Sequence, residues 1–397
     1  MKKDTQIIHL GRSPHKNFGF VNPPVYHGST VLFKTLADYE AGERDYYDFE
    51  KLPVNEYCSP TYGRYGSPSS IELQKALTVL EGADYSILTS SGVSAFTAAL
   101  MGLLRAGDHL LMVDTVYGPT RRLCNDELTR FGIEVQYYDP MIGAGIESLM
   151  KPNTKVVYVE SPGSLTFEVQ DIPAIAKVAH AKGAAVVADN TWGTLYFSRP
   201  YDLGVDVCIH SATKYIAGHS DMVMGLITCR KEYYEPILRC FRHMGACLGA
   251  NEVYLAQRGL RTLPVRIRHQ EKTALELATW LKTRPEIEKV LHPALPDCPG
   301  HEIWKRDFSG SSGLFSILLK PYPHKAQAAM LDGLHHFGMG YSWGGYESLI
   351  IPFNPSKIRT ATKWEHKGMC LRINVGLEDV ADLKQDLEDG LKRLSAA

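Results

Sequence analysis

Between Pro68 and Ile209 the chain sets short apolar runs against helix-length segments, one after another. Tyr85–Thr89, residues 109–113 and 155–159, Ala185–Ala188 and Val205–Ile209 are too short for buried helices and are dominated by apolar side chains. Strands of that kind, buried on both faces, belong to a largely parallel sheet covered by helices, an α/β architecture. The segments between them fit the coverings: Ala95–Leu104, and residues 172–182 closed by Gly183. An earlier helix begins at Pro68, where Ser69-Ser70-Ile71-Glu72 reads as a capping box. Leu73, Leu77 and Leu80 follow at helical spacing, and Gly82 stops it.

The flanks have a different texture. The first sixty or so residues carry Pro14, Pro23, Pro24, Pro53 and Pro60 with little period, yet too many aromatics for a disordered tail. They read as an arm, residues 1–66, packed on another part of the protein or on a second subunit. After residue 258 comes a long helical stretch (262–283), a loop Pro293–Gly310 and a strand Leu314–Leu319. A helix near 324–336, a strand 371–375 and a last helix 378–394 complete a smaller α+β domain, 259–397, beside the larger one, 67–258.

Charge and cysteine content narrow the function classes. Forty-three Lys and Arg balance forty-four Asp and Glu, so neither nucleic acid nor an anionic membrane is an expected partner. The start, MKKDTQIIHLGR, has no apolar core behind its lysines and is not a secretory signal. No apolar stretch approaches the roughly 18–20 residues of a membrane span. Eight scattered cysteines without a CxxC pair fit reduced thiols in the cytoplasm, with Cys208 and Cys229 as core residues in strand-like runs. The fifteen histidines show no ligand spacing, and His335-His336 reads as a solvated helix end, so no metal is expected.

Three strand ends carry chemistry. Lys214 lies just beyond a strand in Asp206-Val-Cys-Ile-His-Ser-Ala-Thr-Lys214-Tyr-Ile-Ala-Gly-His-Ser-Asp221, among hydroxyls and glycines. That is where α/β enzymes place their ligands. Asp189 closes an apolar strand, a costly position for a carboxylate unless it caps a helix or meets a cation. Thr89-Ser90-Ser91-Gly92-Val93-Ser94 turns from strand to helix, offering free N–H groups to a phosphate. Neither GxxxxGK nor GxGxxG occurs, which leaves nucleotide-loop and nicotinamide folds without their fingerprint. A lysine, a carboxylate and a phosphate cradle at strand ends together specify pyridoxal 5'-phosphate.

The run from Asp206 to Ser220 resembles the lysine signature of the PLP-dependent Cys/Met metabolism family, and the likeness extends over nearly the whole chain. It includes Tyr62-Gly-Arg64, Ser91-Gly92, Asp189-Asn-Thr-Trp192, Arg258-Gly-Leu-Arg-Thr-Leu, Leu291-His-Pro and Leu371-Arg372-Ile-Asn-Val-Gly376. Glu160-Ser-Pro-Gly-Ser164 and Tyr341-Ser-Trp343-Gly-Gly-Tyr346 look most like members that cut at the β carbon rather than the γ carbon. The resemblance implies an aspartate-aminotransferase-like fold, type I, in a cytoplasmic homotetramer built of dimers that share active sites. By that likeness Lys214 would hold the cofactor and move protons, Asp189 would pair with the ring nitrogen, and Tyr117 would stack on the ring. Ser91, Gly92, Val93, Ser211 and Thr213 would hold the phosphate, with Tyr62 and Arg64 reaching it from a neighbouring subunit. Arg372, with Ser342 and Trp343, would take the substrate. Catalysis would rest on Lys214, Tyr117 and Tyr62. The implied reaction is β-elimination from L-cystathionine or other cysteine S-conjugates in methionine biosynthesis. A γ-synthase or γ-lyase is the near alternative, and a non-catalytic metabolite-binding regulator a distant one.

Overall fold

The computed structural model describes residues 1–47 and 53–396. Among these, seven strands form the large sheet: β1 (Tyr85–Thr89), β2 (His109–Val113), β3 (Glu134–Tyr138), β4 (Thr154–Glu160), β5 (Ala185–Asp189), β6 (Val207–Ser211) and β7 (Gly225–Cys229). Their order is β1-β7-β6-β5-β4-β2-β3. β2 pairs in parallel with β3 and β4, β4 with β5, and β5 with β6, while β7 runs antiparallel between β6 and β1. β1, β2 and β7 are buried along their whole length, as are Cys229 on β7 and Cys208 on β6, which is why these strands are apolar runs. β1 and β3 are the two edges, but only β3 is left open: Glu134-Val-Gln-Tyr-Tyr shows no apolar run because only Tyr138 is fully covered.

Local signals set most boundaries, with corrections. The first long helix is Pro68–Glu81, but its capping box is Ser67 with Ser70, not Ser69 with Glu72. Pro68 has no N–H to offer and so fits the first helical position, which moves the cap one residue before it. Gly82 ends the helix in a left-handed conformation, φ 82. β6 starts at Val207 rather than Val205; at Asp206 the carboxylate accepts the Val186 N–H at 2.7 Å while the Asp206 N–H donates to Val186 O, leading the chain into the ladder.

The second sheet is antiparallel: β8 (Ile287–Leu291), β9 (Leu314–Leu319), β10 (Leu349–Phe353) and β11 (Cys370–Asn374), in the order β10-β11-β9-β8. The helix expected at 262–283 is Ala250–Leu281 and runs straight across the domain boundary placed at residue 258. Its buried stripe Val253, Ala256, Leu260, Leu263 and Ile267 is continuous, so packing carries the helix past Pro264. Further on, Ala274, Leu277, Ala278 and Leu281 of the same helix pack with the second sheet. The loop 293–310 contains a helix, His301–Asp307. The helix near 324 stops at Asp332, so exposed His335 and His336 lie beyond it, their N–H groups bound to the Asp386 carboxylate.

The amino-terminal segment is not irregular throughout. Lys3–His9 is a helix docked on its own chain, with Ile7 fully buried and Asp4 paired with Arg268 at 2.7 Å. Leu36–Tyr47 is a second helix. Between them Phe18, Phe20 and Leu32 are 98%, 73% and 89% exposed. No described helix is long and apolar enough to cross a membrane.

Candidate active site

β5 and β6 bring the two central groups to one sheet end. Their register sets Asp189 opposite Ile209, and Lys214 follows where β6 has ended at Ser211. Lys214 Nζ donates to Ser342 Oγ at 2.6 Å and lies 5.3 Å from the centre of the Trp343 ring. Burial, then the nearby charge of Arg372, lowers the ammonium to about 8, against the smaller opposite pull of Asp189. The loop carrying Ser342 can lie this close because Gly344 has φ 82 and a side chain there would meet the Tyr215 nitrogen at 3.0 Å. Asn374 Oδ1 accepts the Gly344 N–H at 2.9 Å and fixes the loop to β11.

Asp189 is held rigidly. Its Oδ1 accepts from Thr191 N at 2.9 Å and Thr191 Oγ1 at 2.6 Å, and that hydroxyl in turn accepts the Ser211 N–H. Burial raises its carboxyl, with the Thr191 hydrogen bonds pulling the other way. Glu160 sits opposite it on β4 and accepts the Tyr117 N–H at 2.7 Å. Burial and then the charge of Asp189 push Glu160 far above the carboxylate range, so Glu160 is the neutral member of the two. Tyr117 stands just before the short helix Gly118–Arg122, and its phenol is pushed up by burial first and then by the charge around Asp189.

The turn between β1 and the helix Gly92–Leu103 makes an anion cradle. Ser91 caps the helix by accepting the Ser94 N–H at 3.0 Å, leaving the first-turn amides of Gly92 and Val93 facing out. A Cβ on Gly92 would stand 2.9 Å from that of Ser211, so only glycine lets the two strand ends meet. Thr213 Oγ1 is committed to the Met224 backbone, which ties the lysine loop down. Arg372, on β11, donates from Nη2 to Ser342 O at 2.7 Å, while its buried Nε has no partner among the described residues. Burial lowers this guanidinium to about 10.

Tyr62 and Arg64 are not in this cluster within one chain. Arg64 donates to Arg242 O at 3.1 Å and to Tyr65 Oη at 2.9 Å, and Tyr62 is exposed beside Tyr65. Glu160, Thr191 and Asn374 were not singled out for the site from the sequence; each earns its place through strand register or a contact across the sheet.

A neutral-capable amine, a buried carboxylate with one oxygen left free of protein donors, a helix-end cradle too tight for a Cβ and an unsatisfied guanidinium form one set. They fit pyridoxal 5'-phosphate and the carboxylate of an amino acid, and they define a fold type I PLP enzyme. The chain's residues 4–392 match the family model described as Cys/Met metabolism PLP-dependent enzyme. It is 39% identical to cystathionine beta-lyase MetC of Escherichia coli, over 99% of each chain. It is 40% identical to an L-alanine/L-glutamate racemase of Wolbachia pipientis, over 99% of this chain and 98% of that one. The crystal structure of metB from Corynebacterium glutamicum superposes with a TM-score of 0.87 at 30% identity, covering 99% of this chain and 98% of that one. The protein belongs to the Cys/Met metabolism family of PLP-dependent enzymes.

Proposed function

We propose that the protein is a carbon–sulfur β-lyase that cleaves L-cystathionine to homocysteine, pyruvate and ammonia, in methionine biosynthesis, and accepts other cysteine S-conjugates. The observation that carries this is the Lys214 amine, lowered to about 8 and aimed by Ser342, beside the unsatisfied Arg372. Arg372 binds the substrate α-carboxylate, which brings the Cα–H to Lys214 Nζ. The bound cofactor supplies the electron sink for the charge left when that proton departs. Lys214 Nζ takes the α-proton and gives a proton to the departing sulfur as the Cβ–S bond breaks; the three-carbon remainder hydrolyses to pyruvate and ammonia. Asp189 keeps the ring nitrogen protonated, Tyr117 covers the ring face, and Ser91, Gly92, Val93, Ser211 and Thr213 hold the phosphate. Trp343 walls the pocket beside Lys214.

In this reading the arm serves a neighbouring subunit. The exposure of Phe18, Phe20, Leu32 and Leu36 supports a partner surface there, and Tyr62 and Arg64 would complete the partner's phosphate site in a homotetramer. The docked helix Lys3–His9 stays with its own chain. Eight free cysteines support a reducing, cytoplasmic setting.

The test is product analysis with L-cystathionine. Pyruvate with homocysteine supports the reading, whereas 2-oxobutyrate with cysteine means γ-cleavage. The relative from Wolbachia favours one further outcome: the same proton removal followed by return to the opposite face, read as D-amino acid formed from L-alanine or L-glutamate.

A further inference from the structure

Beneath the strand ends lies a second charged cluster that the proposed reaction leaves unused. His210 Nε2 and Glu81 Oε1 are 3.0 Å apart, with both side chains sealed from solvent. Cys208 Sγ lies 3.4 Å from each of these atoms, and Asn190 Nδ2 donates to the same Glu81 oxygen at 3.3 Å. Glu81 Oε2 has no partner among the described residues. A buried ion pair with a spare oxygen is poor value as a brace, because an apolar pair of similar volume would hold the helix to the sheet as well or better.

Its position accounts for it. His210 follows Ile209, the β6 residue opposite Asp189, and Asn190 follows Asp189 itself. We propose that Glu81 and His210 form a fixed buried dipole whose imidazolium end lies under the end of β5 and keeps Asp189 anionic for the cofactor's ring nitrogen. His210 is then a positioning residue, acting through Asp189.

The surrounding charges agree in sign. The groups packed on His210 are Glu81 from the helix Pro68–Glu81 and Cys208 on its own strand, with Asn190 reaching the same Glu81 oxygen; Asp189, paired with Ile209, lies on the other face of the sheet and acts on His210 through its charge. Burial works against the His210 charge, but Glu81 and then Asp189 raise it above the ordinary histidine range. Burial likewise opposes Glu81, and His210 holds it down, with help from Lys3 of the first helix. Cys208 is pushed up by burial and stays a neutral thiol. On Asp189, burial raises the carboxyl, the Thr191 hydrogen bonds oppose it first, and the charges of His210 and then Lys214 pull the same way.

The inference rests on the cofactor site, not on the substrate, and its test uses no substrate. Holoprotein is prepared with histidine labelled by nitrogen-15 and with cofactor labelled at the ring nitrogen, His210→Asn providing the assignment. At a pH where an ordinary histidine is neutral, His210 is expected doubly protonated and the cofactor nitrogen protonated. Glu81→Gln is expected to turn His210 neutral and move the cofactor nitrogen toward its unprotonated shift, while circular dichroism and the bound cofactor are retained. If Glu81→Gln does not fold, His210→Asn carries the same expectation for the cofactor nitrogen. A neutral His210 in the wild type, or a ring-nitrogen signal unchanged in either folded variant, overturns the proposal and leaves the pair as a brace.

Discussion

Lys214 Nζ donates a 2.6 Å hydrogen bond to Ser342 Oγ, joining residues 128 positions apart. The same Ser342 gives its carbonyl to Arg372 Nη2 at 2.7 Å. One residue, in a left-handed conformation with φ 72, therefore sets the spacing between the amine and the guanidinium. Ser342 lies in the loop before β10 of the antiparallel sheet and Lys214 just beyond β6 of the large sheet, so the packing of the two sheets' segments fixes the spacing between amine and guanidinium.

The depressed Lys214 ammonium gives a pH dependence with a definite sign. The amine must be neutral to attack the cofactor aldehyde, so cofactor-free protein should recapture pyridoxal phosphate faster as pH rises, levelling off above about 8. Arg372→Gln removes a neighbouring cation and should move that midpoint upward. Stopped-flow absorbance across a pH series measures both. A wild-type midpoint near the ordinary lysine value of 10.5 would contradict the electrostatics described for the site.

Asp189→Asn should bind the cofactor through its phosphate contacts yet turn over slowly. An amide cannot hold the ring nitrogen's proton by charge, and losses on the order of 10²–10³ follow when a site gives up one such stabilising group. Retained visible absorbance with kcat lowered to that extent is the expected pair of results. Near-normal kcat would reduce Asp189 to a partner for Thr191.

Glu160 offers a sharper contrast between two substitutions. Because burial and Asp189 keep Glu160 protonated, Glu160→Gln preserves both its neutrality and its acceptor for the Tyr117 N–H. Turnover should stay within about threefold for Gln and fall about tenfold for Ala, the effect of roughly 1.4 kcal/mol on the barrier. Equal losses in the two variants would mean that Glu160 acts as an anion.

How far these relationships can be read from the chain depends on their range. Lys214, Asp189 and the Ser91-Gly92 turn are legible because each is a local break in a pattern, a polar group where an apolar strand ends. Glu160 is not: its closeness to Asp189 exists only once β4 and β5 pair in register. Gly344 likewise matters through its close approach to Lys214 and Tyr215, far back in the chain, and Asn374 through the bond it accepts from the Gly344 N–H. In the fold, buried strands such as β2 declare themselves, while β3 does not, since an edge strand with half-covered faces needs no apolar run. The helix Ala250–Leu281 departs in the other direction: it begins well before the expected stretch 262–283, because its buried stripe already starts at Val253, Ala256 and Leu260.

The arm can be tested by subunit exchange. Arg64→Ala should weaken cofactor retention, since a guanidinium–phosphate contact is about twice as strong as a neutral hydrogen bond. Mixed with Lys214→Ala subunits, which donate an intact arm, Arg64→Ala subunits should regain activity above the sum of the two parents. Exchange demonstrated by mass spectrometry with no regain would confine Arg64 to its own chain, where it meets Arg242 and Tyr65.

The central claim is that the Lys214 amine moves the protons, and Lys214→Ala measures it directly. Pyruvate formed from L-cystathionine is followed in the variant alone and with increasing concentrations of a small primary amine. The account predicts loss of more than about 10³-fold without added amine, the combined cost of losing base and acid. It further predicts partial recovery that rises with the concentration of neutral amine, with homocysteine released one for one with pyruvate. Turnover of the unassisted variant within about tenfold of wild type, a difference of only about 1.4 kcal/mol in the barrier, would contradict it.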